Sequence, residues 1–439
     1  MTYDLSDSRA SLVQQPTAGY DDPGLLFDII EEHFDEAAFY FQLWDRAQDA
    51  LDYTLDEVRR GPEELLCANI DGLVVGGEVA AERMLWPAIE GDEADHWTGP
   101  GVATLALLRR PGDDPLDRIL LRLPSSAQSP LHGIARGLGL TQRSDLDERL
   151  RNALYAADED KHAVLLDILA ERGVDPGPLV GMCLQGADMN AIRSALCAVR
   201  YSANPSPHTH AVEKLFDFGD ARIRATALET GHLWGLPAAR SARVRQAHAH
   251  DEHALLLTAL VGGAPEQESI FAALDDPGHR SPALRALGFV GTQRAAEACL
   301  RFIGDADKRA AGLAGEAFAM IAGLNPGPFV LVSDEADEPV PESKEAPGAS
   351  VVLPALNPIA VAEWWNGKRS NFKPGLRYLQ GEPWTPSTIG GRLARLPMRW
   401  RNVVLLELAL RKPGAIPVSA RSWTRRHEER TRTLLVPAG

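Results

Sequence analysis

One helical pattern starts again every thirty residues in this chain, at GVATLALLRR (101), LHGIARGLGL (131), KHAVLLDILA (161), AIRSALCAVR (191), ARIRATALET (221) and DEHALLLTAL (251). The fifth position of each slice, Leu105, Ala135, Leu165, Ala195, Ala225 and Leu255, is apolar, and three residues on come Leu108, Leu138, Ile168, Ala198, Leu228 and Thr258. Residues three apart share a helix face, so one buried stripe recurs with the period. Two slightly shorter copies follow, RSPALRALGF from Arg280 and KRAAGLAGEAF from Lys308. A period of about 30 residues predicts stacked helical hairpins, because one hairpin cannot bury its apolar face without a neighbour. The expected fold is all-α, an α-solenoid over residues 101–324 whose surface holds another macromolecule.

Second helices of the hairpins fall between the slices, as in DLDERLRNALY from Asp145, AARSARVRQAHA from Ala238 and EQESIFAALDD from Glu266. Residues 23–100 read as an acidic N-terminal helical cap: Asp22 caps, Pro23 occupies the first turn, and Leu26, Ile30, Phe34, Ala38 and Phe41 follow at helical spacing. Residues 1–22 lack the basic start and apolar stretch of a secretory signal and read as a flexible lead-in. After Asn325 the period stops, and 325–358, rich in Pro and acidic residues, reads as a mobile linker. Residues 359–439 form a small, mainly helical C-terminal unit with five of the nine tryptophans, Trp364, Trp365, Trp384, Trp400 and Trp423.

The net charge of -16 conceals a gradient. Residues 1–100 carry 23 acidic and 5 basic side chains, whereas 359–439 carry 15 basic and 5 acidic. The two ends can attract each other or steer different partners. No run of about 18 apolar residues is present, so no membrane partner is expected. Cys67, Cys183, Cys197 and Cys299 form no CxxC pair, and read as reduced thiols of a cytoplasmic protein.

The segments EEHFDEAAFYFQLWDRA and NIDGLVVGGEVA near the start, with GLRYLQGEPWT and RNVVLLELALR near the end, resemble an uncharacterised proteobacterial family of HEAT-repeat proteins, and the repeats between are matched in kind. The resemblance implies a HEAT-like solenoid spanning most of the chain. Members are often encoded beside type VI secretion components, which implies an accessory adaptor or chaperone role toward a secretion spike, tip or effector protein. No catalytic residue is known for the family, so none is carried over.

The residues themselves offer little chemistry. His208, His210, His248, His250 and His253 lie within about one and a half repeats, yet helical geometry separates His248 from His250, and surface histidines are the preferred reading over a metal site. GKRS at 367–370 lacks the first glycine of a phosphate-binding loop and a preceding strand. The pairs Glu31-Glu32, Asp35-Glu36 and Glu63-Glu64 read as wet helix faces rather than acid–base machinery. No catalytic, metal or cofactor site is therefore expected. The interaction candidates are Arg392, Arg395, Arg399, Trp400, Arg401, Trp423, Arg425 and Arg426, since Arg and Trp dominate interface hot spots. Equally open is that the tryptophans build the C-terminal unit's own core. Nucleic acid, which also uses Arg and aromatics, is disfavoured by the acidic balance. The alternative to a scaffold is an enzyme with a helical-repeat cleft, of lyase or base-excision type.

Overall fold

The computed structural model describes residues 27–91, 96–124, 129, 131–331 and 353–435. Over these the chain is all-α, with named strands only at Tyr378–Leu379 and Glu382–Pro383, which pair antiparallel. The lead-in 1–22, the Asp22-Pro23 start and residues 332–352 of the expected linker lie outside the described residues. Of the linker's flanks, Leu331 N–H donates to Ala355 O (2.9 Å) and Asn357 N–H to Phe329 O (2.8 Å), so the two ends of that stretch meet.

A helix stands at every recurrence: Thr98–Arg109, His132–Leu140, Glu159–Arg172, Met189–Ala198, Ala221–Leu233, Glu252–Val261, Arg280–Val290 and Lys308–Ala322. Each packs against the next of this series, and Phe27–Ala47 extends it by packing on Thr98–Arg109. Helices between them bridge neighbours: Pro237–His248 touches both Ala221–Leu233 and Glu252–Val261, and Ala264–Ala273 touches Glu252–Val261 and Arg280–Val290. Every stripe position named above is buried except Ala225, which is half-buried. Thr258 is tolerated there because its hydroxyl accepts from Arg243 Nη1 at 3.0 Å. Asp188, Asp220, Asp251 and Asp307 start four of the helices by accepting first-turn backbone N–H groups, each cap contributing about 1 kcal/mol. Among the described residues no helix is long and apolar enough to cross a membrane.

Because a returning segment separates consecutive members of the row, they run the same way, and their carboxyl ends form one rim. There the last four carbonyls of each helix lack intrahelical partners. The basic C-terminal segment supplies donors. Tyr378 N–H bonds Gly291 O (2.7 Å), Gln380 N–H bonds Met320 O (2.6 Å), Gly381 N–H bonds Ile321 O (2.9 Å) and Gly414 N–H bonds Leu233 O (2.8 Å). Arg411 Nη2 reaches Leu260 O (2.5 Å) and Trp423 Nε1 reaches Leu140 O (2.7 Å). Gly291 and Gly323 end their helices at φ 69° and 74°. A Cβ at either would come within 2.7 or 2.6 Å of the docking backbone's Tyr378 O or Gln380 O, so glycine supplies both the turn and the clearance. Positive side chains near helix carboxyl ends are also favoured by the helix dipoles.

Arg399 shows how far the row bends. Its backbone N–H donates to Ala50 O (3.1 Å), beyond the first helix, while its guanidinium pairs with Glu316 (2.8 Å) on the last. Helix Met398–Leu410 packs on Ala221–Leu233 and Glu252–Val261. Apolar residues from Ile30 to Leu434 belong to one continuous core.

Candidate functional site

The seam between the acidic N-terminal helices and the basic C-terminal segment gathers most of the residues of interest. The charge gradient brings the two ends together. Arg421 pairs with Asp45 (3.0 Å) and Asp49 (2.5 Å), and Arg59 with Glu428 (2.8 Å). Asp45, only 4% exposed, also takes Arg136 Nη2 at 2.5 Å, and Arg136 pairs again with Glu171. Glu63, buried at the same seam, accepts from Trp44 Nε1 (3.0 Å), Thr424 Oγ1 (2.6 Å) and Thr424 N–H (3.0 Å). Burial raises the Glu63 carboxyl above its ordinary range, against the opposing pull of the Thr424 and Trp44 donors.

Helix Thr424–Leu435 is fastened to Met398–Leu410 by a buried polar cluster. Arg401 donates from Nη1 to His427 Nδ1 (2.8 Å) and from Nη2 to Thr431 Oγ1 (3.0 Å). His427 Nε2 therefore carries the proton, facing Ala420 O at 3.3 Å. Burial, then the Arg401 charge, pulls His427 down to about 3, and burial lowers Arg401 to about 10. Glu407, fully buried, sits between Arg377 (Nη2, 2.8 Å) and Arg411 (Nε, 2.8 Å).

The interaction candidates divide by location. Trp400, 8% exposed, donates to Glu316 (2.9 Å) beside Arg399, and Trp423 lies 5.4 Å from the Trp44 ring centroid in the core. Arg401 is enclosed, as described. Arg392 pairs with Glu382 of the same segment. Trp400 and Trp423 hold the C-terminal segment on the rim, while Arg392 and Arg401 tie that segment together internally. Arg395 and Arg425 are exposed, the latter pairing with Glu429 (3.2 Å) along its own helix. Arg426 is half-buried and, with Leu140, Thr141, Trp423, Arg425 and Glu429, lines a cleft of about 320 Å³. Burial lowers the Arg426 pKa, and the charges of Arg430 and Arg172 add to it.

The histidines singled out in the sequence do not converge. His248 Nδ1 faces Val244 O (2.7 Å), His253 meets Glu229 (3.4 Å), and His208 is buried beside Gly181. His250 instead meets His279, with ring centroids 5.3 Å apart. The GKRS stretch ends helix Pro358–Lys368 and continues as a 3₁₀ turn over Arg369–Asn371. All four cysteines are free, Cys183 and Cys299 being buried. Glu63, read from the sequence as part of a wet helix face, is instead buried against Thr424 and Trp44. Sequence reasoning missed Asp45, for which the opposed charges of the two ends were the only signal, and Glu407, which is enclosed by Arg377 and Arg411 of its own C-terminal segment. No family model, curated protein or solved structure matches the chain.

Proposed function

We propose that this chain is a non-catalytic protein-binding scaffold, a HEAT-like α-solenoid acting as an adaptor or chaperone for a secretion spike, tip or effector protein. A concave inner surface is the usual docking place on such a solenoid. Here the C-terminal segment lies along the helix ends, which leaves the outer helices for the partner. The observation that carries this reading is a set of large apolar side chains left exposed on the outer helices of consecutive hairpins: Leu121 (77%), Tyr155 (51%) and Met182 (73%). Single exposed apolar residues are ordinary, but a series on neighbouring repeats fits a partner that spans repeats.

Co-expression with the spike, tip and effector proteins of one secretion system tests it. The scaffold reading expects one of them to co-purify in fixed stoichiometry with the unaltered chain. Leu121→Ser with Met182→Ser should release that protein while leaving the melting temperature unchanged. Retention by the double variant, or no stoichiometric partner among these proteins, rejects the reading.

A further inference from the structure

We propose that His250, Asp276 and His279 form a binding site for a divalent transition-metal ion, zinc being the ion to try first. One donor atom from each lies within 4.8 Å of the others. The three come from two successive connections of the row: His250 stands just before helix Glu252–Val261, and Asp276 and His279 just before Arg280–Val290. Within the second connection Asp276 Oδ2 lies 2.7 Å from His279 Nδ1 and Asp276 Oδ1 accepts the Gly278 N–H at 2.9 Å, which fixes the carboxylate. His250 is one of two non-glycine residues with positive φ, at 59°, among the described residues. That backbone setting is uncommon for a residue with a side chain, and it accompanies the edge-to-face contact of the two rings. Two imidazoles and one carboxylate are the donor set of borderline ions such as zinc, and three protein ligands leave a coordination position for water. Donors around tetrahedral zinc stand roughly 3.4 Å apart, from bonds of about 2.1 Å. All three residues are half-exposed, so side-chain rotation can close the remaining gap.

Chelator-washed protein titrated with zinc sulfate, read by calorimetry and by metal content after dialysis, should take up one ion per chain. The melting temperature should rise with zinc, because the ion binds only the folded arrangement. His279→Ala and Asp276→Asn should each weaken zinc binding more than tenfold, and His248→Ala, altering an exposed neighbour, should not. His250→Gly relieves the positive φ, so it should match or exceed the parent melting temperature without zinc and yet lose the zinc-induced rise. Substoichiometric zinc in the parent chain, or zinc binding by His250→Gly and His279→Ala as tight as the parent's, overturns the site; in that case the Asp276–His279 contact is only a turn closure.

Discussion

The row of helices and the seam are both buried, but they are held by different physics. Within the row, contacts such as Leu257, Leu284, Leu287, Ala314 and Phe318 are dry and repeat with the period. At the seam, Asp45, Glu63, Arg401, Glu407 and His427 are equally enclosed and are held by charged or polar partners, although Arg401 Nε finds none among the described residues. Apolar packing tolerates exchange of one aliphatic residue for another, whereas a buried ion pair broken from one side leaves an uncompensated charge. The row's apolar contacts are thus robust to drift, whereas the seam, like the enclosed pairs Arg200–Glu229 and Arg243–Glu266 among the repeats, depends on particular residues.

The largest expected effect compares one side chain from each region. Trp423→Ala removes a buried indole that packs on Trp44 and donates to Leu140 O. A loss of about 4 kcal/mol is expected, against about 3 kcal/mol for Leu287→Ala in the row. Denaturant unfolding measures both, and hydrogen exchange separates them. Trp423→Ala should deprotect Thr424–Leu435 before the row, whereas Leu287→Ala should deprotect Arg280–Val290 and its neighbours. Uniform deprotection in both variants would show that seam and row open as one unit.

This contrast explains what could be read beforehand. All-α structure and the positions of the row helices were legible, because a period of apolar residues writes local structure and neighbour packing in the same signal. The seam was not, because Thr424 and Glu63 are 361 residues apart and nothing in the local pattern of either marks the other. Charge composition indicated that the ends attract, without saying which pairs form. Trp400 and Trp423 could be read as core or as interface, and only their placement on the rim separates the two. His279 was overlooked because histidines were grouped by closeness in sequence, although a shift of 29 residues, nearly one repeat, relates it to His250.

A smaller effect concerns pH. His427 titrates near 6.5 in an unfolded chain and at about 3 when folded, because burial and the adjacent Arg401 disfavour its charged form. The folded value is the lower one, so its stabilising contribution is complete above pH 6.5 and is lost as pH falls toward 3. Between pH 6.5 and 5 the expected loss is roughly 2 kcal/mol from this residue alone. In the row, His232, lowered to about 4 by burial and then by the charge of Arg243, acts in the same sense. His427→Gln retains an acceptor for Arg401 and should flatten the decline in denaturant midpoint over that range. His232→Gln should flatten it too, but with the change in hydrogen exchange confined to the row. If His427→Gln leaves the pH profile unaltered, the seam histidine is not neutral in the folded chain.

The smallest effect tests whether position alone decides what a seam arginine does. Arg425 follows the sequence pattern of its neighbours, yet its side chain is 82% exposed and pairs with Glu429 one helical turn away. Such pairs contribute a few tenths of a kcal/mol, weakened further by salt. Arg425→Ala should therefore shift the unfolding midpoint by less than about 0.5 kcal/mol, unlike any change at Arg401 or Trp423. Because Arg425 lines the cleft beside Arg426, the same variant also reports whether a partner reaches the rim. A partner held only on the outer helices should bind Arg425→Ala unchanged, whereas one that extends over the seam should bind it more weakly at constant stability. A stability loss above 1 kcal/mol would instead place Arg425 among the residues that fasten the C-terminal segment, and would erase the distinction drawn between its exposed face and its buried one.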